Sequence, residues 1–371
     1  MTDTSETKTD TLEDPTRRSF LQTTAAGAAT LGAVGPVAAT VKPASAQTGP
    51  DPIMLASSLI HNGRHEAFYG RATALWPFEY RMEQVAKAGY NAVGLLHWDL
   101  DHTLRYEAKG ANIQQKAEWM KGVLDNNGIE HCEIEFLTQW MYPENDPRRM
   151  AEQPVRDMLR ELGKVLKPFH MKVGNFFVPL PVEVQRENFK QLCQEFDFTD
   201  VAYEVLTLDP SGGDLDQLLS IVEGNDNGGL FFDTWHTNNL KTWNPNAKGH
   251  TCDEIASLPK GIIKGCELDD GWLVEPKYAE HFLMISSPQF LELTILSRCC
   301  IGEGNFDVVG FIKAVKAAGW EGPMGNEIIS ENVSRYPIEM MLPHIYNTSL
   351  AHARNAYYDT PIPDKIRADY K

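Results

Sequence analysis

The sequence predicts a single-domain (β/α)8 barrel, an α/β fold in which parallel strands are ringed by helices. Three observations carry this expectation. Eight short apolar runs recur along the chain and are separated by segments of helical period, the alternation that builds a parallel sheet covered by helices. From Pro52 onward no Ser/Pro-rich linker or charge block interrupts the rhythm. No G-x-G-x-x-G follows the first run, so an open doubly wound sheet lacks its nucleotide fingerprint and the closed barrel is the natural form for eight units.

The strand-like runs fall at 53–59, 92–97, 131–137, 172–178, 201–208, 230–235, 262–268 and 324–329. Each is short and apolar, as strands buried on both faces are. Between them, 78–88, 115–125, 149–166, 182–196, 214–222 and 306–318 place apolar residues three and four apart, which gathers them on one helical face. In the last of these segments Phe311, Ile312, Val315 and Ala318 form the stripe expected to be buried, and Lys313 and Lys316 face out.

Residues 1–46 read differently. Arg17-Arg18-Ser19-Phe20-Leu21 precedes a weakly apolar, Gly-rich run ending at Val41, and Ala44-Ser45-Ala46 follows. The order of these parts resembles a twin-arginine export signal with a small-residue cleavage site. It predicts a mature protein spanning 47–371, found in the periplasm or secreted, with no membrane insertion once the signal is removed. The full chain carries 34 Lys and Arg against 51 Asp and Glu, a formal charge of -17, and the segment after residue 46 keeps -16 of it. An anionic surface of that size repels phosphate backbones and anionic lipid heads, so nucleic acid and membranes are excluded as partners. Cys132, Cys193, Cys252, Cys266, Cys299 and Cys300 show no C-x-x-C spacing, which argues against a zinc-thiolate site and for free thiols.

In a barrel, chemistry sits at the carboxyl ends of the strands. Glu204 closes the fifth run, Asp233 the sixth, Glu267 the seventh and Glu327 the eighth, each among apolar neighbours. Four acids converging on one rim repel one another unless a cation sits between them, so one divalent ion bound by Glu204, Asp233, Glu267 and Glu327 is expected. Alternation along 131–137 puts Glu133 and Glu135 on one face.

Here a resemblance becomes specific. Asp233-Thr234-Trp235-His236, Gly302-Glu303-Gly304-Asn305-Phe306-Asp307 with its following helix, Ala318-Gly319-Trp320-Glu321-Gly322, and Glu327 resemble the motifs of the xylose isomerase-like sugar isomerase/epimerase family. Val85-Ala86-Lys87-Ala88-Gly89-Tyr90-Asn91-Ala92-Val93 is similar to the family's step into its second strand. The resemblance implies metal ligands at Glu204, Asp233, Glu267 and Glu327, with Glu204 and Glu327 as the catalytic acid and base. It implies substrate contacts at His236 and Arg298, to which the end of the second run adds His97. It also implies a small carbohydrate as substrate. The family's ligand histidine is Glu267 in this chain, with Asp269 as the alternative in a shifted register. An all-carboxylate set favours Mn, and admits Mg or Ca, over Zn or Ni.

Two glutamates and a divalent ion suit proton removal next to a carbonyl. Return of the proton to the other face is epimerisation, return to the adjacent carbon is isomerisation, and departure of a β-substituent is the elimination of inosose dehydratases and keto-glycoside lyases. A non-catalytic exported sugar-binding barrel is the reading from a different class. Absence of a Gly-rich anion cradle with Lys or Arg points to a neutral sugar or keto-sugar rather than a sugar phosphate. Finally, Glu267 and Glu327 lie 60 residues apart, against 29 and 34 for the two preceding steps, which marks an insertion near 270–297. Its Trp272, Tyr278, His281, Phe282 and Phe290 would cover the barrel mouth, pack on the barrel, or meet a second copy in a homo-oligomer.

Overall fold

The computed structural model describes residues 49–63, 74–243, 247–248, 250–272, 294 and 297–363. Segment 1–46 and most of the 270–297 insertion, with Tyr278, His281, Phe282 and Phe290, lie outside the described residues. Eight parallel strands close a barrel: β1 (Met54–Ala56), β2 (Ala92–Leu96), β3 (His131–Leu137), β4 (His170–Val173), β5 (Asp200–Glu204), β6 (Gly228–Asp233), β7 (Ile263–Leu268) and β10 (Met324–Asn326). β10 pairs with both β7 and β1, which completes the ring. The extra pair, β8 (Asp270–Gly271) and β9 (Arg298–Cys299), is antiparallel and stands at the base of the insertion. No helix of the described residues is long and apolar enough to cross a membrane.

The core lies between the outward faces of the strands and the inward stripes of the helices. Phe311, Ile312, Val315 and Ala318 are buried as the period requires, and Lys313 is exposed. Helix Phe78–Ala88 occupies its predicted span. Helix Ile113–Asn126 starts two residues early because Asn112 caps it, accepting from the Gln115 N–H at 2.9 Å. The helix Val308–Ala317 starts later than its apolar run because Asp307 is its cap, accepting from the Gly310 N–H at 2.9 Å. That cap explains the aspartate in the G-E-G-x-x-D motif. The two Ala-Gly-aromatic steps have one physical cause: Gly89 (φ 111°) and Gly319 (φ 95°) end helices in the left-handed region, where a side chain is costly.

Six of the eight barrel strands stop short of the carboxyl ends of their runs, β3 and β7 being the exceptions. Thr234 and His97 open helices Thr234–Trp243 and His97–Tyr106 instead of closing strands, so His236 and His97 sit in first turns just above β6 and β2. β4 begins at His170, two residues before the run at 172–178.

Candidate active site

Register brings the inward-facing polar residues together. Glu135 pairs with Lys172 across β3 and β4, and Asp233 with Glu267 across β6 and β7. Beside Glu267, Gly325 has no side chain, and a Cβ there would lie 2.5 Å from Glu267 Cγ. The barrel interior is therefore a ladder of charge where barrels usually stack branched apolar residues. The Glu133 carboxylate and His170 Nε2 are 2.7 Å apart in a lower layer, and Lys172 holds the layer above.

Lys172 is 1% exposed and its Nζ lies 2.7 Å from Glu135 Oε2, 2.7 Å from Glu267 Oε2 and 3.5 Å from Glu327 Oε1. Burial disfavours its charge, but Glu135, Glu267 and Glu327 outweigh that cost and hold the ammonium well above its usual range. Arg298 is the second fixed cation. Its Nη1 lies 3.0 Å from Asp233 Oδ2, 2.7 Å from Asp269 Oδ2 and 2.8 Å from Glu327 Oε2, and donates to the Glu327 carbonyl at 2.9 Å. The β8–β9 hairpin aims it there.

Of the four expected ligands, the structure brings three together. One carboxylate oxygen from each of Glu204, Glu267 and Glu327 lies within 4.8 Å of the others. Asp233 is engaged elsewhere: its Oδ2 faces Arg298, and its Oδ1 accepts from the His236 backbone N–H at 2.9 Å. Asp269, the alternative ligand, accepts from Thr234 Oγ1 at 2.5 Å and pairs with Arg298. Part of the repulsion expected among the rim acids is neutralised by Lys172 and Arg298. Burial relieves more of it by favouring the neutral acids. Glu204, Glu267 and Asp269 are pushed well above the usual carboxylate range by burial, reinforced by neighbouring acids, and Glu135 is pushed up to about 7 by burial against the pull of Lys172. The trio still suits a hard cation, because Glu267 Oε1 is buried and accepts no hydrogen bond from the described residues, and oxygen-only donors fit Mn, Mg or Ca.

A cavity of about 390 Å3 opens onto these groups, lined among others by His97, Lys172, Glu204, His236, Arg298 and Glu327. All three expected substrate contacts thus reach one pocket. His236 Nδ1 accepts from the Thr207 N–H at 3.3 Å, which leaves the proton on Nε2. That nitrogen lies 3.8 Å from Glu204 Oε1 and 3.5 Å from Arg298 Nη2. Burial and Arg298 hold the ring neutral, with its pKa well below the usual histidine range. His97 Nδ1 accepts from the Phe136 N–H at 3.2 Å, and burial lowers its pKa to about 4. Arg298 points into the pocket and not at Glu303, whose carboxylate faces His344. Sequence reasoning missed Lys172. The signal was present in His170-Met171-Lys172-Val173, where alternation sets a histidine and a lysine on one face of a strand otherwise apolar.

A family model described as xylose isomerase-like TIM barrel matches residues 82–355. The chain belongs to that family. Among solved structures, a xylose isomerase-like TIM barrel/4-hydroxyphenylpyruvate dioxygenase fusion protein is 17% identical with a TM-score of 0.61, over 85% of this chain and 45% of that one. This chain thus spans under half of the fusion protein. The IolI protein, whose crystal structure holds a zinc atom, is 14% identical with a TM-score of 0.54, over 86% of this chain and 99% of that one. The probable 3-DHS dehydratase AsbF from Bacillus anthracis is 10% identical with a TM-score of 0.55, over 78% and 97%. At these identities the likeness is one of fold. No curated protein matches the chain.

Proposed function

We propose that this family member is a sugar isomerase or epimerase that moves a proton at a carbon next to a carbonyl. The observation that carries the reading is the convergence of Glu204 and Glu327 on one pocket beside Lys172, His236 and Arg298. In this reading Glu327, held by two cations, takes the proton, and Glu204, whose Oε1 lies 3.8 Å from the His236 imidazole, returns one. Arg298 and the Nε2–H of His236 offer donors to substrate oxygens as negative charge develops. The apolar wall of Leu206, Leu208 and Phe176 suits the faces of a neutral sugar or keto-sugar.

The metal in this proposal is a divalent cation, Mn2+ foremost with Mg2+ or Ca2+ as alternatives, held by Glu204, Glu267 and Glu327. When bound it supplies Lewis acidity toward the carbonyl. Asp233 acts as the anchor of Arg298. Elimination from a keto-glycoside or inosose shares the first proton transfer and is the second reading, supported by the fold shared with a dehydratase.

The test incubates the protein with a free ketose, a 3-keto-glycoside and the corresponding phosphate in deuterated water, with Mn2+ or Mg2+ supplied. Deuterium incorporation should occur with an unphosphorylated compound and fall by about 10²–10⁴ in Glu204→Gln and Glu327→Gln. Mn2+ binding should be lost in Glu267→Gln and kept in Asp233→Asn. Preference for the phosphate would refute the neutral-sugar reading. Sugar binding without exchange would identify a carrier. We further propose export of the folded protein by the twin-arginine route. Replacing Arg17 and Arg18 by Lys should leave it in the cytoplasm, and unchanged export would show the pair to be incidental.

A further inference from the structure

Cys300, Glu303 and His344 form a second donor cluster that shares no residue with the carboxylate trio. Cys300 follows β9, Glu303 lies in the Gly302–Gly304 turn, and His344 belongs to the last helix, Ile338–Tyr358. One ligand atom from each, the thiol sulfur, a carboxylate oxygen and an imidazole nitrogen, lies within 4.8 Å of the other two. His344 Nε2 is 3.3 Å from Glu303 Oε1, and Glu303 Oε2 accepts from the Cys300 N–H at 3.2 Å. The cluster grades outward, from Cys300 at 3% exposure to a His344 side chain at 44%, so an ion can approach from solvent and reach a sulfur that is otherwise covered.

The turn is held in place independently of these three groups. The Asp270 carboxylate accepts the N–H of Gly302 at 3.0 Å and of Phe306 at 3.0 Å, which fixes both ends of the segment carrying Glu303. Closing the cluster on an ion then requires only side-chain adjustment, since ligand distances of about 2.0–2.3 Å imply tetrahedral donor separations of roughly 3.3–3.8 Å, and the His344–Glu303 pair already stands at 3.3 Å.

We propose that Cys300, Glu303 and His344 bind one zinc ion that fastens the last helix to the turn below the barrel mouth. Sulfur, nitrogen and oxygen donors together select a borderline-soft cation such as Zn2+ over the hard ions suited to the trio. Binding replaces the thiol proton, which passes to water, and leaves a fourth position for a water molecule. The spacing argument against zinc-thiolate chemistry misses this site because only Cys300 and Glu303 are near in sequence. The histidine comes from a helix 44 residues later.

Co2+ is the probe, because a cobalt-bound thiolate gives a near-ultraviolet charge-transfer band that carboxylate ligands do not. Titrated into the full mature protein, Co2+ should produce that band with one equivalent, displaced by Zn2+, both in the wild type and in Glu267→Gln. It should vanish in Cys300→Ser and require at least about tenfold more cobalt in His344→Ala. Zn2+ should raise the Tm of the wild type and leave that of His344→Ala unchanged, and because His344 is partly exposed this variant tests the site even where Cys300→Ser folds poorly. The proposal is overturned by absence of the band at millimolar Co2+, by equal affinity in His344→Ala, or by a band that survives Cys300→Ser and is lost in Cys299→Ser.

Discussion

At the scale of single residues, the interior of the barrel is decided by Lys172. It contacts three carboxylates and is buried among them, so removing its charge leaves Glu135 and Glu267 without their cation. Lys172→Met is expected to destabilise the protein by about 3–5 kcal/mol, the usual cost of stripping one partner from a buried ion pair. Urea unfolding at neutral pH measures it, and a loss below about 1 kcal/mol would mean that the acids are neutral without Lys172. The four rim acids were legible because each one closes an apolar run, where a charge has no structural reason to be. Lys172 was not, because the run at 172–178 starts with it and makes it look like a flank. What no pattern of acids could show is which carboxylates a cation already holds: the guanidinium of Arg298 reaches Asp233 across 65 residues of sequence, by way of a hairpin.

At the scale of elements, periodicity located every barrel strand and the six helices it named, but not the helices His97–Tyr106, Thr234–Trp243 and Ile338–Tyr358, and side-chain caps set the ends. Asp307, Asn112 and Asp146 each satisfy N–H groups that a helix leaves free at its start, and these local bonds, not apolarity, choose the first residue. The same reasoning explains why Thr234 opens a helix: the strand ends where Asp233 accepts the His236 N–H. The helix Val308–Ala317 offers a direct check on the buried stripe. Phe311 is 1% exposed, whereas Lys313 is half exposed and pairs with an exposed Asp359 at 3.4 Å. Phe311→Ala should cost about 3–5 kcal/mol, and Lys313→Ala should stay within about 0.5 kcal/mol. Paired denaturation curves compare them; equal effects would show that this helix does not carry the core contact its period implies.

At the scale of the whole molecule, the burial of titratable groups, in the barrel's polar ladder and in the loops and helices around it, couples folding to pH in two opposing directions. Glu135 and Asp209 have ordinary values of 4.5 and 3.8 and are both pushed up to about 7, chiefly by burial. Between those limits the folded protein binds more protons than the unfolded chain, so their contribution is present at low pH and is lost as pH rises toward 7. His61, His97 and His250 run the other way. Burial lowers each from 6.5 to about 4, so in that window the unfolded chain binds more protons, and their contribution is present above 6.5 and is lost as pH falls to 4. His61 shows why: Arg81 lies 2.9 Å from its Nδ1, and its Nε2 lies 3.0 Å from the Gly94 carbonyl, which leaves no room for a second proton. The opposing slopes should be separable by variant. The stability difference between wild type and Glu135→Gln should shift against the wild type as pH rises from about 5 to 7.5, and the difference between wild type and His61→Gln should shift in its favour over about 4 to 6.5. Urea midpoints at half-unit pH steps give both curves. Parallel curves for wild type and Glu135→Gln would mean that Glu135 titrates alike in the folded and unfolded chain, and that its proton takes no part in holding the ladder together.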